Sequence, residues 1–85
     1  MKLVVGETYE AEVIKILSYG AIVKMKDDTT QLLHISNISD IFVRNVGDFV
    51  HVGDTIKVDC IQGTVLPEEI SIKQYTKGFD PYHSK

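Results

Sequence analysis

Apolar and polar residues alternate along several short stretches of the chain, and this alternation is typical of strands with one buried face. The second stretch shows it clearly, since Ala21, Val23 and Met25 fall on one face and Ile22 and Lys24 on the other. The pattern predicts five strands, which cover residues 7–17, 21–26, 31–36, 56–61 and 70–73.

Turn-forming residues separate these strands. The polar tip at residues 27–30 joins the second strand to the third in a hairpin, and residues 52–55 form a turn before the fourth strand. We expect Gly20 to allow a tight turn and the close approach of two strands. In the third strand Leu33 falls on the core side, so His34 falls on the opposite side.

The alternation stops between residues 37 and 50, where apolar residues recur at spacings of three, four and one. This spacing predicts short helical turns that connect the third and fourth strands. Five short antiparallel strands with such a connector match an all-β, five-stranded Greek-key OB-fold barrel. We expect Phe42 and Phe49, both in the connector, to plug the end of that barrel.

The C-terminal residues have no periodicity. Residues 1–75 are therefore predicted to form the OB-fold domain, and residues 76–85, which include a glycine and a proline, to form a flexible tail. The sequence leaves open whether Phe79 and Tyr82 dock on the barrel or on a partner.

Composition fits one small globular domain, because the chain has 85 residues, of which 44% are hydrophobic and 25% charged. One cysteine excludes an internal disulfide, which favours the reducing cytoplasm. No apolar run approaches the ~20 residues of a membrane span, so we expect no membrane association. The net charge of -3 means that any nucleic-acid site must be a local patch.

Catalysis finds little support in the sequence. Cys60 falls on the inward side of the fourth strand, which predicts an inert buried thiol. The acid pairs at residues 27–28 and 68–69 lack the spacing of metal ligands with His or Cys, and the chain has no glycine-rich phosphate loop. We expect no enzyme activity, no cofactor and no metal.

Motif residues occur in a fixed order along most of the chain. They are Gly6, Tyr9, Ala11, Val13 and Ile16, then Tyr19-Gly20-Ala21 and Val23, then Leu32-Leu33-His34-Ile35-Ser36, then Val46, Asp48, Val50, Val52-Gly53-Asp54, Ile56 and Val58, and finally Ile70-Ser71-Ile72-Lys73. Together they resemble the S1 RNA-binding domain, a family named for ribosomal protein S1 that recurs in polynucleotide phosphorylase. The resemblance spans roughly residues 5 to 74 and implies the OB-fold.

The resemblance also implies an RNA surface of two aromatics, a histidine, an aspartate and an arginine. By position the first aromatic is Tyr19 and the histidine is His34, while Ile22 stands where the second aromatic is expected. The loop at residues 63–69 offers neither the arginine nor a clearly placed aspartate. We therefore expect micromolar or weaker RNA binding.

Other residues have both a binding and a structural interpretation. Lys15, Lys24 and Lys26 can attract the RNA backbone, but lysines on an exposed strand face are often only solvated. Asn37 can hydrogen-bond a base or cap the helical turn, and we favour the cap. Arg44 can contact a phosphate, although an exposed arginine on a short turn is usually solvated.

Two functions follow from these residues. The first is a monomeric module that binds single-stranded RNA with weak sequence specificity, in translation or RNA turnover, through Tyr19, Ile22, Lys24 and His34. Ribosomal or RNA-processing proteins are its expected partners. The alternative is an S1-fold protein-interaction module with reduced RNA affinity, favoured by the acidic charge, by Ile22 and by the loop at residues 63–69.

Overall fold

Five antiparallel strands curl into a nearly closed barrel in the computed structural model, which describes residues 2–63 and 66–83. The strands are β1 (Thr8–Leu17), β2 (Gly20–Met25), β3 (Thr30–His34), β4 (Thr55–Gln62) and β5 (Glu68–Ser71). Their order in the sheet is β3-β2-β1-β4-β5, so β3 and β5 are the two edges, and these edges approach each other to close the barrel. The predicted five-stranded OB-fold architecture is confirmed.

The core consists of the inward-facing residues of each strand. Ala21, Val23 and Met25 of β2 are all buried, as the alternation predicted. Cys60 of β4 is buried as well, and its burial, followed by the nearby Glu68 carboxylate, raises the pKa of the thiol. A buried thiol with a raised pKa is a poor nucleophile, which agrees with the prediction of an inert cysteine.

Strand ends differ from the prediction where the backbone turns into short 3-10 helices. Strand β3 ends at His34 because Ile35–Asn37 form a 3-10 turn. Strand β5 begins two residues earlier than predicted and ends before the 3-10 turn at Lys73–Tyr75. At that end the Ser71 hydroxyl accepts a hydrogen bond from the Lys73 N–H at 3.2 Å. Alternation alone does not locate such ends, since a single turn has too few residues to show a period.

The connector between β3 and β4 holds the 3-10 turn Val46–Asp48, as its spacing predicted. Phe49 packs against the core from this connector. Phe42, in contrast, is 81% exposed, so the prediction that it plugs the barrel is wrong. Val43, the next residue, is buried in its place, and the irregular backbone there directs neighbouring side chains to opposite sides.

The described part of the C-terminal segment contacts the barrel. The rings of Phe79 and Tyr82 lie edge-on to Phe49, with ring centroids 5.4 and 6.1 Å apart. Tyr82 also accepts hydrogen bonds through its hydroxyl from the backbone N–H groups of Arg44 and Asn45. Both aromatic residues thus dock on the barrel, while the boundary at residue 75 and the flexibility of the tail stay predictions.

Within the described ranges, the chain has no helix of the length and apolar character that crossing a bilayer requires.

Candidate nucleic-acid interface

Strand pairing places the predicted site residues of β2 and β3 on one surface. Residues directly opposite each other in an antiparallel pair point to the same face. Gly20 of β2 pairs with His34 of β3, and Ile22 pairs with Leu32. The pair between them, Ala21 and Leu33, points inward and is buried. We call the surface formed by Ile22, Lys24, Leu32 and His34 the β2–β3 face.

A β-bulge in β1 extends this face onto a third strand. Val13 pairs with the inward Val23, whereas Lys15 pairs with the outward Ile22, so Ile14 is the extra residue between them. The bulge resets the alternation of β1 and directs Lys15 to the β2–β3 face. Without the extra residue, the strand parity would place the lysine on the other side.

Tyr19 lies in the turn before β2, and its backbone adjoins the His34 end of this face. Its carbonyl oxygen accepts a hydrogen bond from the Ile35 N–H at 2.8 Å, which ties the turn to the end of β3 beside His34. The side chain is 53% exposed. Gly20 follows it, and a Cβ atom there would clash with the carbonyl oxygen of Leu33. The predicted close approach of two strands at Gly20 is therefore present.

His34 is held by Ser36, two residues further along. Its Nδ1 accepts a hydrogen bond from the Ser36 N–H at 3.1 Å and lies 2.8 Å from the Ser36 hydroxyl. Because Nδ1 accepts, a neutral His34 carries its proton on Nε2. The exposed ring therefore presents an N–H donor together with a flat surface.

Asn37 is buried and holds β5 to the end of β3. Its side-chain amide donates to the Glu69 carboxylate at 3.2 Å, and its carbonyl oxygen accepts from the Ile72 N–H at 3.0 Å. The residue that caps the 3-10 turn is His34, whose side chain accepts from Ser36. The prediction that Asn37 caps this turn is wrong, because Asn37 is the last residue of the turn.

Two of the three candidate lysines are ion-paired. The ammonium of Lys24 lies 3.8 Å from the Asp28 carboxylate, and that of Lys26 lies 3.1 Å from Glu10. Lys15 makes no ion pair with any residue in ranges 2–63 and 66–83. Of the three, Lys15 therefore has the charge most available to a phosphate.

The fifth strand brings acids to the edge of this surface, where the resemblance implies an arginine. Glu68 and Glu69, together with the exposed Leu66, line a groove between β3 and β5. The groove has a volume of about 420 Å³ and also borders His34 and Asn37. The sequence predicts a loop at these acids and does not connect them with β3, since that proximity depends on barrel closure.

Leu32 is a further member of the β2–β3 face, beyond the candidate residues that the sequence predicts. It pairs with Ile22 and is 40% exposed. Strand parity with His34 was the signal that could identify it, because residues two apart on a strand share a face. Ile22 and Leu32 together form an apolar centre between Lys15 and His34.

No metal centre is formed by the described residues, because no three His, Cys, Asp or Glu side chains among them come together. Arg44, the other candidate for phosphate contact, lies over the ring of Tyr82 at 4.6 Å from its centroid. This places the guanidinium in a cation–π contact with the C-terminal segment.

Sequence comparison agrees with the resemblance. Residues 2–73 match the family described as the S1 RNA binding domain. The chain is 42% identical over 57 residues to a polyribonucleotide nucleotidyltransferase of Rhodospirillum rubrum, which covers 67% of this chain and 8% of that protein. The corresponding enzyme of Desulfosudis oleivorans is 40% identical over 63 residues, covering 74% of this chain and 8% of that protein. The chain thus spans less than a tenth of the length of these relatives.

Structure comparison gives the same fold. The solution structure of GSP13 from Bacillus subtilis superposes with a TM-score of 0.74 and 28% identity, covering 99% of this chain and 66% of that one. A chain in the a/eIF2alpha-aDim2p-rRNA complex of Pyrococcus horikoshii superposes with a TM-score of 0.75 at 23% identity, covering 91% of this chain and 48% of that one. The second likeness carries the fold alone.

Proposed function

Since the chain belongs to the S1 RNA-binding domain family, we propose that it binds single-stranded RNA on the β2–β3 face, with little sequence specificity and without catalysis. The observation that carries the proposal is the arrangement of an exposed aromatic, an apolar centre and a histidine donor along one surface. Tyr19, Ile22 and His34 are its principal residues.

Tyr19 is the residue on which a base stacks. Its ring is half exposed, and stacking of a base on an aromatic side chain contributes about 1–3 kcal/mol. Ile22 and Leu32 give the next base an apolar surface without a π-face, so this second contact is weaker than an aromatic one. Every base has a flat face, so such a site selects little by sequence.

His34 supplies a hydrogen bond at the end of the face. Its Nε2–H donates to a base carbonyl or to a phosphate oxygen, while Ser36 holds the ring through Nδ1. Asn37 acts behind it by fixing the end of β3 to β5, so its role in the site is one of positioning.

Lys15 and Lys24 both neighbour Ile22 of the apolar centre and attract the phosphate backbone. Lys15 pairs directly with Ile22 across the strands, and Lys24 lies two residues beyond Ile22. In the free protein the ammonium of Lys24 lies 3.8 Å from the Asp28 carboxylate. When RNA binds, a phosphate replaces that carboxylate as the partner of Lys24. With few cations and an acidic chain, affinity in the micromolar range or weaker is the expected result.

In a cell, such a module holds RNA for translation or for RNA turnover. The curated relatives are much longer nucleotidyltransferases, and the chain matches only a small part of each. We assign it the RNA-holding role, as a cytoplasmic monomer with ribosomal or RNA-processing proteins as partners. The one cysteine of the chain, Cys60, is buried in the core, so its thiol is not part of the β2–β3 face.

The test is an NMR titration of the labelled protein with a short unstructured RNA at low and at moderate salt. We expect shifts in the amides of residues 18–25 and 31–37 that weaken as salt rises. Tyr19→Ala and His34→Ala should reduce binding, whereas Tyr19→Phe, which keeps the ring, should not. Tyr75→Ala is the matched control, because Tyr75 is also exposed but bonds to Asp59 of β4. No shifts at millimolar RNA would overturn the proposal.

A further inference from the structure

A second surface of the molecule lies between the two edge strands. We call it the β3–β5 groove, and it is lined by Gln31, Leu32, His34, Ser36 and Asn37 on one side and by Leu66 and residues 68–70 on the other. Asn37 closes one end of the groove, because it bonds to Glu69 and to the backbone of Ile72. The groove is open at the opposite end.

At that open end the groove continues into a second cavity. The second cavity has a volume of about 520 Å³ and shares Gln31, Leu66 and Glu68 with the groove, while Lys2 lines the second cavity alone. Strand β3 alone has five residues, which corresponds to about 16 Å of extended chain. The two adjoining cavities share lining residues and run along β3, so together they have room for an extended segment.

The lining of the groove combines apolar side chains with acids. Leu66 is 62% exposed and Leu32 faces it from β3, which gives two accessible apolar contacts on opposite sides. Glu68 and Glu69 line the groove as well, and among the described residues no lysine or arginine lines it, although Lys2 lines the adjoining second cavity. A phosphate backbone would meet repulsion here, whereas a cation with apolar neighbours would meet complementary groups.

Edge strands also supply backbone hydrogen-bonding groups. In the sheet, β3 pairs with β2 and β5 pairs with β4, so one side of each edge strand faces the groove. An extended peptide binds such an edge by adding main-chain hydrogen bonds, and its alternate side chains then reach the pockets.

We propose that the β3–β5 groove binds an extended segment of a partner protein that carries lysine or arginine between apolar residues. The apolar side chains contact Leu32 and Leu66, and the cation lies against Glu68 and Glu69. This goes beyond the proposed function and does not depend on it. The two surfaces share Leu32 and His34, together with Ser36 and Asn37 behind His34, whereas Leu66 and residues 68–70 belong to the groove alone. Tyr19 does not line the groove, so a Tyr19→Ala variant should lose RNA binding and still bind the peptide. Each proposal can therefore fail without the other.

The experiment titrates the labelled full chain with a capped peptide of alternating Val and Lys, and separately with one of alternating Val and Glu. The Val-Lys peptide should shift the amides of residues 31–34 and 66–70, and the Val-Glu peptide should not. Glu68→Gln combined with Glu69→Gln should weaken binding about fivefold, in line with two partly exposed charge pairs. Gln at position 69 still accepts the hydrogen bond from Asn37, so the fold is retained.

Two controls make the result specific. Glu7→Gln combined with Glu12→Gln removes the same charge from exposed positions outside the groove and should leave binding unchanged. Leu66→Ser should weaken binding several-fold, since it removes an exposed apolar contact. The proposal fails if both peptides bind alike, if neither binds at millimolar concentration, or if both glutamine pairs weaken binding equally. It also fails if RNA shifts the amides of residues 66–70 and Leu66→Ser abolishes those shifts.

Discussion

The backbone N–H of Ser36 donates a hydrogen bond to Nδ1 of His34 at 3.1 Å, and this contact determines which ring nitrogen carries the proton. Nδ1 can accept only when it is unprotonated, so neutral His34 is the Nε2–H tautomer. The exposed nitrogen is then a donor, which suits a base carbonyl or a phosphate oxygen. An Nδ1–H tautomer would present an acceptor to the RNA instead.

This tautomer can be measured by NMR, from spectra that correlate the ring nitrogens of neutral histidine with the carbon-bound ring protons. His34 should show the Nε2–H form. His51 provides the internal comparison, because its Nδ1 lies 3.5 Å from the Asp54 carboxylate and so favours a proton on Nδ1. A His34 ring with its proton on Nδ1 would contradict the hydrogen bond from the Ser36 N–H to Nδ1.

Gly20 should be intolerant of even one added methyl group. A Cβ at this position would overlap the Leu33 carbonyl oxygen and lie 3.2 Å from the Cα of His34, both of which are backbone atoms with little freedom to move. Gly20→Ala should therefore lower the free energy of unfolding by about 1–3 kcal/mol, the usual cost of overpacking. Urea denaturation measures this loss.

Gly47→Ala is the matched control for that change. A Cβ at Gly47 would meet nothing within 4 Å, so alanine there should be neutral or should stabilise by about 0.4–1 kcal/mol through the unfolded chain. If both substitutions change the free energy of unfolding equally, the effect of Gly20→Ala comes from glycine flexibility and not from the close approach of β2 to β3.

Much of this surface could be predicted from the sequence, because alternation on β2 and β3 depends on neighbours along the chain. The face shared by Ile22, Lys24 and His34 follows from parity alone. The bulge at Ile14 is different, since nothing in a local alternation marks the extra residue that turns Lys15 outward.

The sequence pattern does not predict the contacts that form when the barrel closes. Glu69 is 32 residues from Asn37 along the chain, yet their side chains are hydrogen-bonded in the barrel. The apolar character of Phe42 predicts a core position, but in the irregular connector Phe42 is exposed and Val43 is buried. In both cases the outcome depends on the path of the backbone in three dimensions, which residue spacing does not specify outside regular strands.

Lys15 should account for one phosphate contact in RNA binding. For single strands, the slope of log affinity against log salt changes by about 0.7 for each phosphate neutralised. Lys15→Gln should therefore reduce the slope by about 0.7 and weaken binding at low salt, as measured by fluorescence anisotropy with a labelled unstructured RNA. Lys26→Gln should change the slope less, since Lys26 pairs with Glu10 at 3.1 Å. Equal losses from both lysines would indicate a diffuse charge effect without a defined phosphate site.

Tyr82 should stabilise the barrel from outside the predicted domain. Its hydroxyl accepts hydrogen bonds from the Arg44 and Asn45 N–H groups at 2.9 and 3.3 Å, so Tyr82→Phe should cost about 0.5–1.5 kcal/mol of unfolding free energy. Tyr82→Ala should cost more, because it also removes the ring from Phe49 and from the Arg44 guanidinium.

Chemical denaturation, together with the ring-proton shifts of Phe49, measures both effects. His83→Ala is the control, since His83 is exposed and next to Tyr82 but lies outside these ring contacts. If Tyr82→Ala and His83→Ala have the same small effect, residues 76–85 behave as the independent tail that their sequence predicts. If Tyr82→Ala lowers the free energy of unfolding and His83→Ala does not, the folded unit extends to at least residue 82. The reason is that the ring of Phe49 packs against the C-terminal segment.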